Sequence, residues 1–210
     1  MISSVQLVYA TTNPGKFSEV AKFFSAHSLT IHSPTEYGVE LEVPETGVTL
    51  EENAILKAEA FRDALPADCI VIGDDTGVEI DALGGEPGIR VRRWAGRKMT
   101  DQEIIDYCIK RMENVPIHGR FAQFRTVLAV SSKGQKTKIF DGILAGHIVE
   151  EPTPLKIEGF PFESLFFSKE YDLMLGDIHE LSIENKIEKK IFTHRERAIN
   201  SSLVYLKSII

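Results

Sequence analysis

Three Thr-x-x-Glu boxes constrain this chain more than any other feature of its sequence. Thr49 with Glu52, Thr100 with Glu103 and Thr193 with Glu196 each precede apolar residues at helical spacing. In that arrangement a hydroxyl and a carboxylate satisfy the free N–H groups of a helix start. The helices so opened carry Ala54, Leu56, Ala60 and Phe61; then Ile104, Ile105, Cys108 and Met112; then Ile199, Leu203, Leu206 and Ile210. An earlier helix is predicted from Phe17, Val20, Ala21 and Phe24, after the turn-forming Thr12-Asn13-Pro14-Gly15.

Between these helices lie apolar runs of strand length. Residues 5–10 and 69–72 read as buried strands, and residues 121–130 and 137–149 as two longer ones joined across Ser132-Lys133-Gly134. Pro152 and Pro154 then break the pattern. Strands alternating with helices predict an α/β fold with a mixed sheet. No internal repeat or low-complexity linker divides the 210 residues, a length that suits one large domain or two lobes sharing a core.

Composition removes several classes of function. With 43% hydrophobic residues the chain can bury a core, which excludes global disorder. A net charge of -7 argues against coating nucleic acid, which needs a surplus of Lys and Arg. No apolar run approaches the roughly 20 residues that span a bilayer. Met1-Ile2-Ser3-Ser4 lacks a basic segment followed by an apolar one, so a cytoplasmic protein is expected. Cys69 and Cys108 stand far apart in apolar contexts and read as buried thiols, and the histidines lack zinc-ligand spacing.

Several places could carry chemistry. Thr11, Asn13 and Lys16 lie at a strand–loop–helix junction, where free N–H groups and the helix dipole favour a phosphate; taken alone, such a polar turn is more often structural. The stretch is not a Walker A loop, because Phe17 follows Lys16 and Ala10 stands where the first Gly would be. Asp74-Asp75 follow an apolar strand, the position where ligands gather in open α/β sheets. Such a pair can hold Mg²⁺ or accept a proton from water, or simply form a solvated turn between Gly73 and Gly77. Asn53 and Lys57 share a helix face just after Glu45. Arg90, Arg92, Arg93, Arg97 and Lys98 form a basic stretch around Trp94, open to reading as an anion attractor, a lid or a subunit contact. Lys189, His194 and Arg195 lie around the start of the last helix, as hydrogen-bonding groups or as exposed cap residues.

Taken together, these places resemble the inosine triphosphatase family, which hydrolyses ITP, dITP and XTP to the monophosphate and pyrophosphate. The family's T-x-N-x-x-K motif matches Thr11, Asn13 and Lys16, and its E-T-G-x-T-x-x-E-N-A-x-x-K-A stretch matches residues 45–58. D-D-S/T-G matches residues 74–77, A-L-G-G-x-P-G-I residues 82–89, and S-H-R-x-x-A residues 193–198. The similarity covers residues 7–198.

The resemblance implies one elongated, two-lobed α/β domain with a long central mixed sheet, a nucleotide cleft between the lobes, and a homodimer. It implies that residues 11–16 and Lys57 hold the phosphates, and that Glu45 and Asp75 bind Mg²⁺. Asp75 would also accept the proton of the attacking water. Thr76 would touch substrate, and Lys189, His194 and Arg195 would address the base. The family's base-stacking G-F-G-Y/W-D-P corresponds to Gly159-Phe160-Pro161-Phe162-Glu163-Ser164, which assigns Phe160, Phe162 and Glu163 to the base. Here Pro161 replaces Gly, Glu163 replaces Asp, Ser164 replaces Pro, and Lys156 replaces an upstream Gly. The expected substrate is therefore a non-standard purine nucleoside triphosphate. The alternatives are a pyrophosphatase of shifted base preference and a non-catalytic nucleotide sensor. A nucleic-acid partner would rest on the basic stretch alone.

Overall fold

The computed structural model describes residues 5–155 and 157–210. The N-terminal reading of residues 1–4 and the Lys156 substitution lie outside the described residues. In chain order the elements are β1 (Gln6–Ala10), α1 (Pro14–Ala26), β2 (Ile31–His32), α2 (Leu50–Ala64), β3 (Cys69–Ile80) and β4 (Pro87–Gly88). They continue with α3 (Asp101–Met112), β5 (Phe121–Ser131), β6 (Lys138–Ile148), β7 (Phe166–Ser168) and β8 (Leu173–Met174). Three helices close the chain: α4 (Leu175–Glu180), α5 (Ile183–Lys189) and α6 (His194–Ile209). No helix among the described residues is long and apolar enough to cross a membrane.

The strands form one mixed sheet in the order β2-β1-β3-β5-β6-β7-β8, with β4 added on β3. β1 runs parallel to both β2 and β3, whereas β3–β4, β6–β7 and β7–β8 are antiparallel. Leu7, Val8, Tyr9, Ala10 and Cys69, Ile70, Val71, Ile72 are all buried, the continuous apolar pattern of parallel strands covered on both faces.

The chain divides into two compact units. Among the described residues, unit 1 comprises 5–76, 126–142 and 195–210, and unit 2 comprises 77–125, 143–155 and 157–194. The core of unit 1 includes Val8, Phe61, Leu65, Cys69 and Val71. That of unit 2 gathers Val78, Ile104, Cys108, Phe124, Phe162 and Phe166.

The helix boxes differ in how fully they close. At α3 both halves form, Thr100 accepting from Glu103 N and Glu103 accepting from Thr100 N. At α2 Thr49 accepts from Glu52 N at 3.1 Å, but the Glu52 carboxylate takes the N–H of Val48 instead. Thr12-Asn13-Pro14-Gly15 is less a turn than a helix start: Asn13 caps α1, accepting from Lys16 N at 3.1 Å, with Pro14 in the first turn. The predicted apolar face of α6 holds at Ile199, Leu203 and Leu206, but Ile210 lies past the helix end and is exposed.

One correction matters for the site. The sequence suggests a strand at residues 69–72 ending in an acidic turn, yet β3 runs through twelve residues, with Asp74 and Asp75 in its middle. Gly73 is there for close approach, not for turning. A Cβ at this position would lie 2.7 Å from both Ala54 O and Ala58 N, so α2 rests its backbone directly on β3.

Candidate active site

The acidic pair is buried. Asp74 is 1% exposed and Asp75 7%, which removes the reading of a solvated turn. Successive residues of a strand point to opposite faces, and the two carboxylates accordingly meet different partners. Asp74 accepts from Lys16 Nζ at 3.1 and 3.3 Å and from Arg195 Nε at 3.2 Å. Asp75 accepts from Asn53 Nδ2 at 3.1 Å and from Lys57 Nζ at 3.2 Å.

The partners arrive from defined elements of unit 1. Lys16 stands in the first turn of α1, just after the Asn13 cap. Asn53 and Lys57, one helical turn apart on α2, both face β3 where Gly73 lets the helix approach. Lys57 Nζ also donates to the Asp74 carbonyl at 3.0 Å and pairs with Glu45 Oε1 at 2.6 Å. Gly47 N–H donates to Asn53 Oδ1 at 2.8 Å, which ties the Glu45 segment to α2. Thr11 Oγ1 accepts from Asn13 N at 3.2 Å, shaping the loop ahead of α1.

Arg195, at the start of α6, is 1% exposed. Its remaining nitrogens donate to Glu19 on α1 and to Thr76 Oγ1 at 3.3 Å, and Thr76 in turn shares a hydrogen bond with Thr126 at 2.8 Å. Burial pushes Asp74 upward, but Lys16, Arg195 and Lys57 outweigh it and hold the carboxyl well below the usual aspartate range. Asp75 goes the other way: burial raises it, Glu45 adds to the rise, and Lys57 and Lys16 only partly oppose. Burial lowers Lys16. It also opposes the charge of Lys57, yet Asp74, Asp75 and Glu45 leave that lysine above its ordinary value. Adjacent aspartates thus differ in character: Asp74 is a fixed counter-ion, and Asp75 is the better proton acceptor.

Glu45 and Asp75 converge on a single ammonium. Two carboxylates so placed are the hard-oxygen donors that Mg²⁺ uses together with waters and phosphate oxygens. Among the described residues no group of three or more His, Cys, Asp or Glu side chains is placed to hold a metal ion. Any Mg²⁺ held by this pair would need its remaining ligands from outside these side chains.

The other predicted residues lie in unit 2. Phe160 is half-buried and meets His179 edge-on at 5.7 Å. Phe162 is buried against Trp94 and Phe124, so its ring belongs to the core. Glu163 is 2% exposed and bonded to His179 and to Ile157 N–H. His194, also buried, stacks on Phe124 at 4.6 Å and 11°. Lys189 is exposed at the end of α5.

The sequence offers Asn53 and Asp74 only as neighbours of Lys57 and Asp75, with no role of their own, and gives no place to Glu19, Thr126, Phe124 or His179. Asn53 had a signal, its one-turn spacing from Lys57. Glu19 had one too, three residues after Lys16 on the same helix face. Thr126 and Phe124 lie within an apolar strand and carried none.

Comparisons with known proteins identify the family. The model of the Ham1 family matches residues 7–204. The dITP/XTP pyrophosphatase of Caldanaerobacter subterraneus is 38% identical over 196 residues, covering 93% of this chain and 92% of the relative. That of Bacillus subtilis is 36% identical over 199 residues, covering 95% and 96%. The solved structure of the Staphylococcus aureus Ham1 protein superposes with a TM-score of 0.77 at 33% identity, over 97% of this chain and 98% of that one. With nearly its whole length matched in sequence and in fold, this chain belongs to the Ham1 family.

Proposed function

We propose that this chain is a nucleoside triphosphate pyrophosphatase that cleanses the nucleotide pool of ITP, dITP and XTP, yielding the monophosphate and pyrophosphate. The observation that carries the reading is the buried Asp74-Asp75 pair, flanked by Lys16, Lys57 and Glu45. The dITP/XTP pyrophosphatase activity named for relatives at 36–38% identity supports it.

In this reaction water attacks the α-phosphorus, the bond to the β-phosphate oxygen breaks, and pyrophosphate leaves. Asp75 takes the proton of that water. Its two oxygens are held by Asn53 and Lys57, so the carboxylate is oriented before substrate arrives. Lys16 and Lys57 offset the charge of the triphosphate, with Thr11 and Asn13 lining the same loop. Glu45 and Asp75 would hold Mg²⁺, which when bound would neutralise phosphate charge and orient the polyphosphate. Thr76, positioned by Thr126 and Arg195, is a further substrate contact.

Base recognition is assigned to Phe160, Glu163, Lys189, His194 and Arg195; Phe162, in the core of unit 2, backs the turn that carries Phe160. A hydrogen-bond donor rewards the 6-keto oxygen of hypoxanthine or xanthine and rejects the amine of adenine. Asp74, Glu19 and Thr76 take three of the five Arg195 N–H groups, so the guanidinium keeps donor capacity for that role. A second reading, shifted base preference, is favoured by Glu163, whose carboxylate is already engaged by His179 and Ile157. A homodimer in the cytoplasm completes the proposal, which sedimentation and fractionation test.

The decisive assay is pyrophosphate release from ITP, XTP, dUTP, GTP and ATP with Mg²⁺. Release from ITP and XTP well above the others supports the main reading, and a different order supports the second. Binding without release would return the chain to the class of nucleotide sensors.

A further inference from the structure

The segment that presents Phe160 is gripped from both sides by charged and polar side chains, of which Arg92, Asp101 and His179 have been given no role. On one side Arg92 forms an ion pair with Asp101, and together they take both backbone groups of Gly159. The Arg92 guanidinium donates to Gly159 O at 2.7 Å, and Asp101 Oδ2 accepts from Gly159 N at 2.7 Å. On the other side His179 Nδ1 meets Glu163 Oε1, while Glu163 Oε2 accepts the N–H of Ile157 at 3.2 Å. Both side chains of that second pair are nearly fully buried, and the His179 ring also abuts Phe160. Pro161 and the Glu163 N–H to Phe160 O bond at 3.0 Å close the short turn between the two grips.

From these contacts we infer that Arg92 and His179 are positioning residues for base selection: they fix the Phe160 turn from opposite ends, so removing either loosens the platform on which the base is read. This rests on the proposed nucleotide-hydrolysing function. It gives Arg92 a place apart from the rest of the basic stretch, of which Arg90, Arg93 and Lys98 are simply exposed and Arg97 pairs with Glu103. Glu163 is the side chain through which the turn meets His179 of α4. A buried carboxylate with two partners holds its position far better than one facing water.

The test compares Arg92→Met, His179→Leu and His179→Asn with the parent protein. Asn places an N–H donor where Nδ1 stood. For each protein KM and kcat are measured with ITP and GTP, alongside hydrogen exchange at the amides of residues 157–164. We expect Arg92→Met and His179→Leu to raise KM for ITP about tenfold and to narrow the ITP-to-GTP ratio of kcat/KM similarly, with kcat little changed. His179→Asn should recover most of the loss. Exchange at Gly159 should quicken in Arg92→Met, and at Ile157 in His179→Leu. Unchanged KM and discrimination in both variants, or losses confined to kcat, would overturn the inference. Unchanged exchange would overturn it too, and that readout needs no turnover. A parent protein that releases no pyrophosphate from any nucleotide would sink the proposed function, while the exchange data would still decide whether the grips exist.

Discussion

Substituting Gly73 by Ala probes the contact on which the site is built. The new Cβ would lie 2.7 Å from Ala54 O, 2.7 Å from Ala58 N and 3.1 Å from Ala58 Cα, all backbone atoms of α2. Ordinary contact is about 3.5 Å, so helix and strand must separate by roughly 0.8 Å. Overpacking of this kind costs about 1–3 kcal/mol, a sizeable part of a typical stability of about 5–15 kcal/mol. The same movement carries Asn53 and Lys57 away from Asp75, whose hydrogen bonds to them now span 3.1 and 3.2 Å. Both would pass beyond the ~3.5 Å at which such bonds fail. Misplacement on this scale costs up to about 100-fold in turnover. Urea denaturation should show a lower midpoint with an unchanged slope, and pyrophosphate release should fall far below the parent. Gly134→Ala is the control: nothing lies within 4 Å of its Cβ and its φ of +78° penalises any side chain. It should cost stability without touching turnover. A Gly73→Ala protein as stable and as active as the parent would refute the packing argument.

Three further outcomes follow from the buried charges and thiols. Asp74→Asn should destabilise the protein by about 3–5 kcal/mol near neutral pH, because Lys16 and Arg195 lose a buried counter-charge; denaturant midpoints measure it. Asp74 is depressed in the folded state, so its stabilisation is present above the ordinary aspartate value of about 3.9 and fades as pH falls below it. The gap between parent and variant should therefore begin to narrow below about pH 4, persist at about pH 3, and close only as pH falls through the much lower folded value of Asp74. Cys69 and Cys108 are buried, and burial pushes the Cys108 thiol up to about 12. Neither should react with a thiol reagent at neutral pH until the protein unfolds.

Much of this architecture was readable from sequence where local chemistry decides it. Capping residues opened α2 and α3, and apolar runs of strand length located β1, β5 and β6, because those signals are short-range. Asp74 and Asp75 were recognised as a pair, but their place in mid-strand was not. Gly73 looks like punctuation in sequence, and only α2 lying against it explains why the strand continues. The second half of unit 2 was hidden for another reason. β7, β8, α4 and α5 span two to seven residues each, too short to show a period. The Asn53, Glu19 and His179 contacts join residues 16 to 176 positions apart, a range over which spacing carries no information. Phe162 read as a base contact because of the motif it occupies, yet its environment is the aromatic core of unit 2.

The central claim is that Asp75 accepts the proton of the attacking water in a Mg²⁺-dependent pyrophosphate release. Asp75→Asn keeps the shape of the side chain and one hydrogen-bonding oxygen while removing its basicity. Measured with ITP at saturating Mg²⁺, and with cooperative unfolding verified on the same preparation, the variant should release pyrophosphate at least about 1,000-fold more slowly than the parent. A folded Asp75→Asn protein that turns over ITP at the parent's rate would contradict the account.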